Sequence, residues 1–229
     1  MEKYRLTDET IDICGITLYR IEALRNFGPI KAGDKGGFVQ SYHNLSQEGN
    51  CWIHGEAKVL GNAKVYGNAQ VFGRAKVYGD AFVRDNASVF GRANVYDKAS
   101  VFGRAKVYGD ALVKGNAFVF DDAKVYDKAF VNGDAAVYDK AEVFGVARVY
   151  GNAFVKGDAI IETGRDYIVF KNWWSSGRYF TWTRSNNMWN VGCFYGTGKE
   201  LIKKAYADSK DSGKEYERVV RYVESILAD

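Results

Sequence analysis

From residue 53 to residue 161 every sixth position is Ile or Val, running Ile53, Val59, Val65 and onward to Val155 and Ile161. Two residues before each of these, from Ala57 to Ala159, stands alanine. The unit is A-x-V-x followed by Gly or Asp and then, with few exceptions, a polar residue, as in "AKVYGD" at Ala75 to Asp80. Within A-x-V-x the period is two, so Ala and Val share one side of a short half-buried strand and the variable residues take the other. Gly or Asp followed by Asn, Asp, Arg or Lys is a turn signal. Six residues are too few for a useful hairpin and far too few for a crossover helix. A coil with three flat faces satisfies the pattern: three hexapeptides, 18 residues, make one triangular rung, and each strand pairs in parallel with its equivalent one rung away.

Residues not used to find the period support it. At one corner Arg104, Asp122, Lys140 and Asp158 stack, and at another Glu56, Arg74, Arg92, Asp110 and Lys128, largely alternating in sign. About six rungs at ~4.8 Å each predict a prism roughly 29 Å tall, with alanines near the corners and valines along the axis.

The repeat resembles the hexapeptide of left-handed β-helix proteins, a superfamily that includes many acyltransferases. Its left hand comes from that resemblance alone. Three N-terminal segments, "KYRL", "IKAGDKGGFV" and "NLSQEGNCWI", resemble the opening of YdcK-type proteins, bacterial β-helices labelled acetyltransferases, with related sequences in prophages. The expected fold is mainly β. A single-stranded left-handed parallel β-helix spans residues 51–162, with an N-terminal cap of short strands over 1–50 and a small α+β domain over 163–229.

A solenoid exposes strand edges at both ends, which must be covered to prevent end-to-end association. The strands "ITLYRIEAL" and "GGFV" suit that role at the N-terminus. The Gly-rich Lys31–Gly37 lacks the G-x-x-x-x-G-K-[ST] spacing of a phosphate loop and reads as a turn. After Ile161, "DYIVFKNWW", "RYFTWTRS" and "MWNVGCFYG" predict a three-stranded antiparallel meander. Two helices follow, with capping-box spacing at Thr197/Glu200 and Ser212/Glu215 and an apolar stripe of Tyr216, Val219, Val220, Val223, Ile226 and Leu227.

Composition narrows the function classes. The 229 residues, 47% hydrophobic, can bury a real core, and a net charge of +4 is too small for a nucleic-acid footprint by itself. The start lacks a leader pattern and no long uncharged apolar run occurs, so a cytoplasmic protein without membrane contact is expected. Cys14, Cys51 and Cys193 have no metal-ligand or disulfide spacing, so free, mostly buried thiols are expected, with no metal and no cofactor.

Candidate chemistry is sparse. The acyltransferase resemblance implies a histidine base, and only His43 and His54 exist. His54 is the candidate base on that reading. On the other it is a surface member of an aromatic ladder, because it fills an outward slot of the repeat. One face stacks Phe72, Phe90, Tyr108, Tyr126 and Phe144. Another gathers Phe82, Phe102, Phe118, Phe120, Tyr138 and Phe154, a candidate interface for a homodimer or homotrimer.

In the C-terminal domain Trp173, Trp174, Trp182 and Trp189 are interleaved with Lys171, Arg178 and Arg184. Trp173 and Trp174 are adjacent on a predicted strand and must face opposite ways, so one of them is expected to be exposed. Together with Ser175, Ser176, Arg178 and Arg184 they form the candidate binding set, whose turn suits an anion. The leading reading is a non-catalytic scaffold that presents this domain to a macromolecule, a protein before a nucleic acid or an anionic small ligand, in a phage or prophage setting by resemblance. The alternatives are an acyltransferase, and a small-ligand or nucleotide binder with sites between subunits.

Overall fold

The computed structural model describes residues 2–174 and 176–228, except for the side chain of Ala228. The chain opens with an antiparallel hairpin, β1 (Tyr4–Ile13) and β2 (Ile16–Ala23), followed by β3 (Lys35–Val39). Strands β4 to β22, each two residues long, run from Trp52–Ile53 to Ile160–Ile161. They stack in three parallel sheets with an 18-residue register, Ser88 on Lys106 and Val89 on Val107 being typical. The result is a β-solenoid. Every repeat Ala and Val from Ala57 to Ala159 is essentially inaccessible to solvent, as a close-packed prism with inward period-two side chains requires.

The solenoid begins earlier than residue 51. Strand β3 pairs in parallel with Lys58–Val59, and Leu45 bridges in parallel to Val65, so residues counted as cap form a first coil and bring the total to about seven turns. Phe38 pairs with Lys58 at a spacing of 20 rather than 18, and a 3-10 turn at Tyr42–Asn44 lies within this longer coil. Gly36 and Gly37 therefore lie in a strand and not in a turn. A Cβ on either would approach within 2.6 Å of the Ile53 or Ala57 carbonyl oxygen.

Corners carry either glycine or aspartate in the left-handed region, such as Gly91 (φ +72) and Asp97 (φ +59). The aspartates bear this conformation for a reason: Asp85, Asp97, Asp127 and Asp139 each accept the amide of the glycine one coil on, at 3.2–3.3 Å. Two of the stacked charges pair as expected, Arg92 with Asp110 at 2.7 Å and Arg104 with Asp122 at 2.6 Å.

Interior coils join through amides that donate to carbonyls 17 residues on, as Trp52 does to Ala69. The first coil consequently offers carbonyls with no strand beneath them, and side-chain donors fill the gap. Buried Lys3 donates Nζ–H to the carbonyls of Cys51 (3.1 Å) and Glu48 (3.2 Å), and Arg20 donates to those of Gly36 and Gly55. The last coil offers amides, and acceptors meet them: Thr181 Oγ1 takes Phe154 N–H at 2.9 Å and Ser185 Oγ takes Ile160 N–H at 2.7 Å.

Those acceptors belong to the C-terminal domain. Its sheet has four antiparallel strands, β23 (Tyr167–Lys171), β24 (Tyr179–Thr183), β25 (Met188–Val191) and β26 (Phe194–Gly196). The expected third strand is two, because Gly192 at φ +59 turns the chain. Helix α1 (Gly198–Asp208) carries the predicted Thr197/Glu200 capping box. Helix α2 (Lys210–Ala228) starts before Ser212, whose amide donates to Ser209 Oγ, so Ser209 caps the helix in place of Ser212. Of its stripe, Val220 and Val223 are buried against Phe180, Trp182 and Trp189, while Ile226 and Leu227 are exposed. Only Cys51 is a buried thiol; Cys14 and Cys193 are exposed turn residues.

Candidate functional site

Alternation along β24 sends Phe180 and Trp182 toward the helices, where both are buried, and Thr181 toward the last coil. This separates the predicted binding residues. Arg178 precedes the strand and Arg184 follows it, so five extended residues, roughly 17 Å, lie between them. Arg184 is at the docked end: its amide bonds the Asp166 carbonyl, and the adjoining Asn186 Nδ2 donates to Asp158 at 3.0 Å. It forms no single site with Arg178.

The other end stays together. Trp173 and Trp174 lie in the turn after β23, their rings edge to face at 6.1 Å. Trp173 is 82% exposed, whereas Trp174 packs on Phe180 and Tyr216 at 5.9 Å. Trp174 Nε1 is buried and has no hydrogen-bond partner among the described residues. Ser176 and Arg178 are exposed, and Ser175 lies outside the described residues. The Arg178 stem runs beside Gly192, where a Cβ would come within 3.3 Å of its Cδ. Its head shares a small cleft with Lys204, Asp208 and Cys193. Lys171 Nζ stands 5.8 Å over the Tyr179 ring. An indole and several cations therefore share one tip of the domain.

The six predicted interface aromatics do share a face. Phe102, Phe120 and Tyr138 stack nearly parallel at 4.9 and 4.8 Å. Arg84 closes the column at one end, 4.1 Å from the Phe102 centroid, and Lys156 at the other, between Tyr138 and Tyr195 at 5.3 and 5.2 Å. Phe118 and Phe154 remain 43% and 39% exposed. The Tyr138 end is not open, however. Asn190 of β25 donates to its hydroxyl at 2.9 Å, and burial pushes the Tyr138 phenol above its ordinary value. The C-terminal domain thus overhangs one end of this Phe118 face.

On the Tyr108 face His54 extends the ladder, 4.9 Å from the Phe72 ring, with Nε2 2.8 Å from Gln70 Oε1. Among the described residues no carboxylate bonds its ring, as one would to orient a base. His43 sits in the Tyr42–Asn44 turn, on a surface groove of about 420 Å³ at the N-terminal end of the Phe118 face. A second cleft, of about 320 Å³, opens between Trp182, Trp189, the start of α1 and the end of α2. Nothing in the sequence marks it, because it depends on how the two helices cross over the sheet. Among the described residues no group of three or more His, Cys, Asp or Glu could hold a metal, and no helix is long and apolar enough to cross a membrane. In comparison with known proteins, the chain matches no family model and no curated sequence.

Proposed function

We propose that this protein is a binding scaffold in which the solenoid serves as a rigid prism and the C-terminal domain presents Trp173 and Arg178 to a protein partner. The exposure of Trp173 carries the reading. Trp182 and Trp189 of the same domain are 1% and 2% exposed and Trp174 packs against their core, and a domain that packs its other indoles gains nothing for its own stability from an 82% exposed one. An exposed Trp beside Arg is the composition of an interface hot spot, and flanking Lys171 and Lys204 favour an acidic partner surface. The prism's corners are held by backbone ladders and stacked ion pairs, a geometry suited to holding a binding tip still.

The test is copurification from the native cell with mass spectrometry, followed by titration of the identified partner. Trp173→Ala is expected to weaken binding by about 2 kcal/mol or more, and Arg178→Ala by ~1.5–3 kcal/mol, with unchanged melting curves. Full binding by both variants, together with its loss on charge reversal at Lys76 and Lys106 of the prism, would move recognition to the solenoid. Saturable acetyl-CoA binding that His54→Ala removes would favour the acyltransferase reading instead.

A further inference from the structure

Outward side chains on the Phe118 face stand in two columns parallel to the prism axis. The first, at the leading strand position, reads Lys64, Phe82, Ser100, Phe118, Ala136, Phe154 from the N-terminal end, one coil apart. From Phe82 onward large and small residues alternate. Phe118 and Phe154 project while Ala136 between them is only 6% exposed, so ridges recur every two coils, roughly 9.6 Å, with hollows between.

Read from the opposite end, the same column fits itself. Each phenylalanine then meets a small or cationic residue: Phe82 opposite Ala136, Phe118 opposite Ser100, Phe154 opposite Lys64. The operation is a two-fold axis parallel to the strands, midway between the Ser100 and Phe118 coils. Applied to the second column, it sets Phe102 beside Phe120 and brings Arg84 to Tyr138 and Lys156 to Tyr66; the stacked rings meet the other copy by their edges, an apolar contact, because their faces are taken up by neighbours in the stack. At one rim it brings Arg104 to Asp122 of the other copy. At the other rim it opposes Asp80 and Asp134, where solvent screening keeps the cost low.

A two-fold along the prism axis also gives acceptable neighbours, with Ser100 against Phe102 and Phe82 against Arg84. The two ends of the face decide between them. The C-terminal domain overhangs one end, at Tyr138 and Lys156, and the groove of about 420 Å³ lined by Tyr42, Lys64 and Tyr66 opens at the other. Only the inverted pairing brings overhang to groove; the upright one places both overhangs at the same end. We infer that the Phe118 face binds a second copy of this chain, forming an antiparallel two-fold dimer through a phenylalanine zipper. The flat face offers roughly 400 Å² per copy, about 800 Å² in all, and the overhang must supply the rest of the ~1,000 Å² total that a specific interface needs.

Sedimentation equilibrium of the full chain up to about 100 µM is the test. Wild type dimerises. Ser100→Phe makes the face more apolar yet fills a hollow, and weakens the dimer at least tenfold; adding Phe118→Ser to the same chain restores it, because the two-fold pairs these positions. Melting curves of each variant confirm the fold. A mixture of Ser100→Cys and Phe118→Cys chains, each lacking exposed Cys14 and Cys193 through Ser substitution, is joined by a short bis-maleimide cross-linker, which spans the ~10 Å between facing sheets that a direct disulfide does not. Wild type remaining monomeric at that concentration overturns the inference. So does association that Ser100→Phe strengthens, or that Phe118→Ser does not rescue.

Discussion

Inside the prism, Ala123 and Val125 occupy the surroundings that Ala105 and Val107 occupy one coil earlier, with the same ladder bonds and the same full burial. Among the described residues of the C-terminal domain no buried side chain has such a counterpart: Phe180, Trp182, Trp189 and Leu201 form one small core, and each ring meets different neighbours. Stability in the prism is therefore a sum of nearly equal nearest-neighbour terms, while in the domain it rests on a few large side chains. The difference also assigns the work. A periodic surface repeats whatever it displays, so a unique recognition feature such as Trp173 has to be carried outside the repeat.

The largest expected effect lies in the non-periodic part. Trp182→Ala leaves a cavity in that core and should cost the C-terminal domain ~3–5 kcal/mol, seen as an early loss of near-ultraviolet dichroism while the far-ultraviolet signal of the solenoid persists. A single concerted transition would mean that domain and prism are one cooperative unit. Next is overpacking in the repeat: Ala105→Leu and Ala123→Leu should each cost ~1–3 kcal/mol by denaturant titration. Their agreement within ~0.5 kcal/mol is the sharper expectation, since unequal costs would break the equivalence of coils.

Corner chemistry comes third. Gly91→Ala places a Cβ in the left-handed region 2.9 Å from the Gly109 nitrogen and oxygen, and should cost about 1–2 kcal/mol or more by the same titration. Asp97→Gly exchanges the bond to the Gly115 amide for relief of its own positive φ and should be nearly neutral.

Among the changes expected to cost stability, the smallest is electrostatic. The Lys124 ammonium at 2.7 Å, assisted by the Tyr126 hydroxyl at 3.0 Å, holds the Glu142 carboxyl below its ordinary value despite partial burial. A lowered folded-state pKa means stability that is fully present above the unfolded value of about 4.3 and is lost as pH falls through the folded one. Glu142→Gln should accordingly differ from wild type by less than about 1 kcal/mol at pH ~7, and the difference should vanish toward pH ~3 in urea melts.

The unevenness of the two regions also governs what could be read from the chain. The hexapeptide announces strand, corner and register together because every coil repeats the same constraint. The first coil escapes notice: Gly36 and Gly37 replace the expected alanine pattern, and the longer Phe38–Lys58 spacing breaks the period. In the C-terminal domain, alternation places Phe180 and Trp182 on one side, but it carries no information about strand ends, so Arg178 and Arg184 look like neighbours although β24 holds them apart. One exposed and one packed indole at Trp173 and Trp174 was foreseeable. The reason is the turn after β23 and not opposite faces of a strand. The cleft beside Trp189 and the overhang on Tyr138 depend on long-range docking that no local pattern encodes.

The interior coil is also a unit of inheritance. Each presents the same amides to the coil above and the same carbonyls to the coil below, so an in-frame duplication or deletion of 18 residues leaves the partners of Lys3 and Arg20 at one end, and of Thr181 and Ser185 at the other, in place. Such an event lengthens or shortens the prism by one strand spacing, about 4.8 Å, and leaves the C-terminal tip intact. A lineage built this way can tune its reach like a ruler cut in whole divisions.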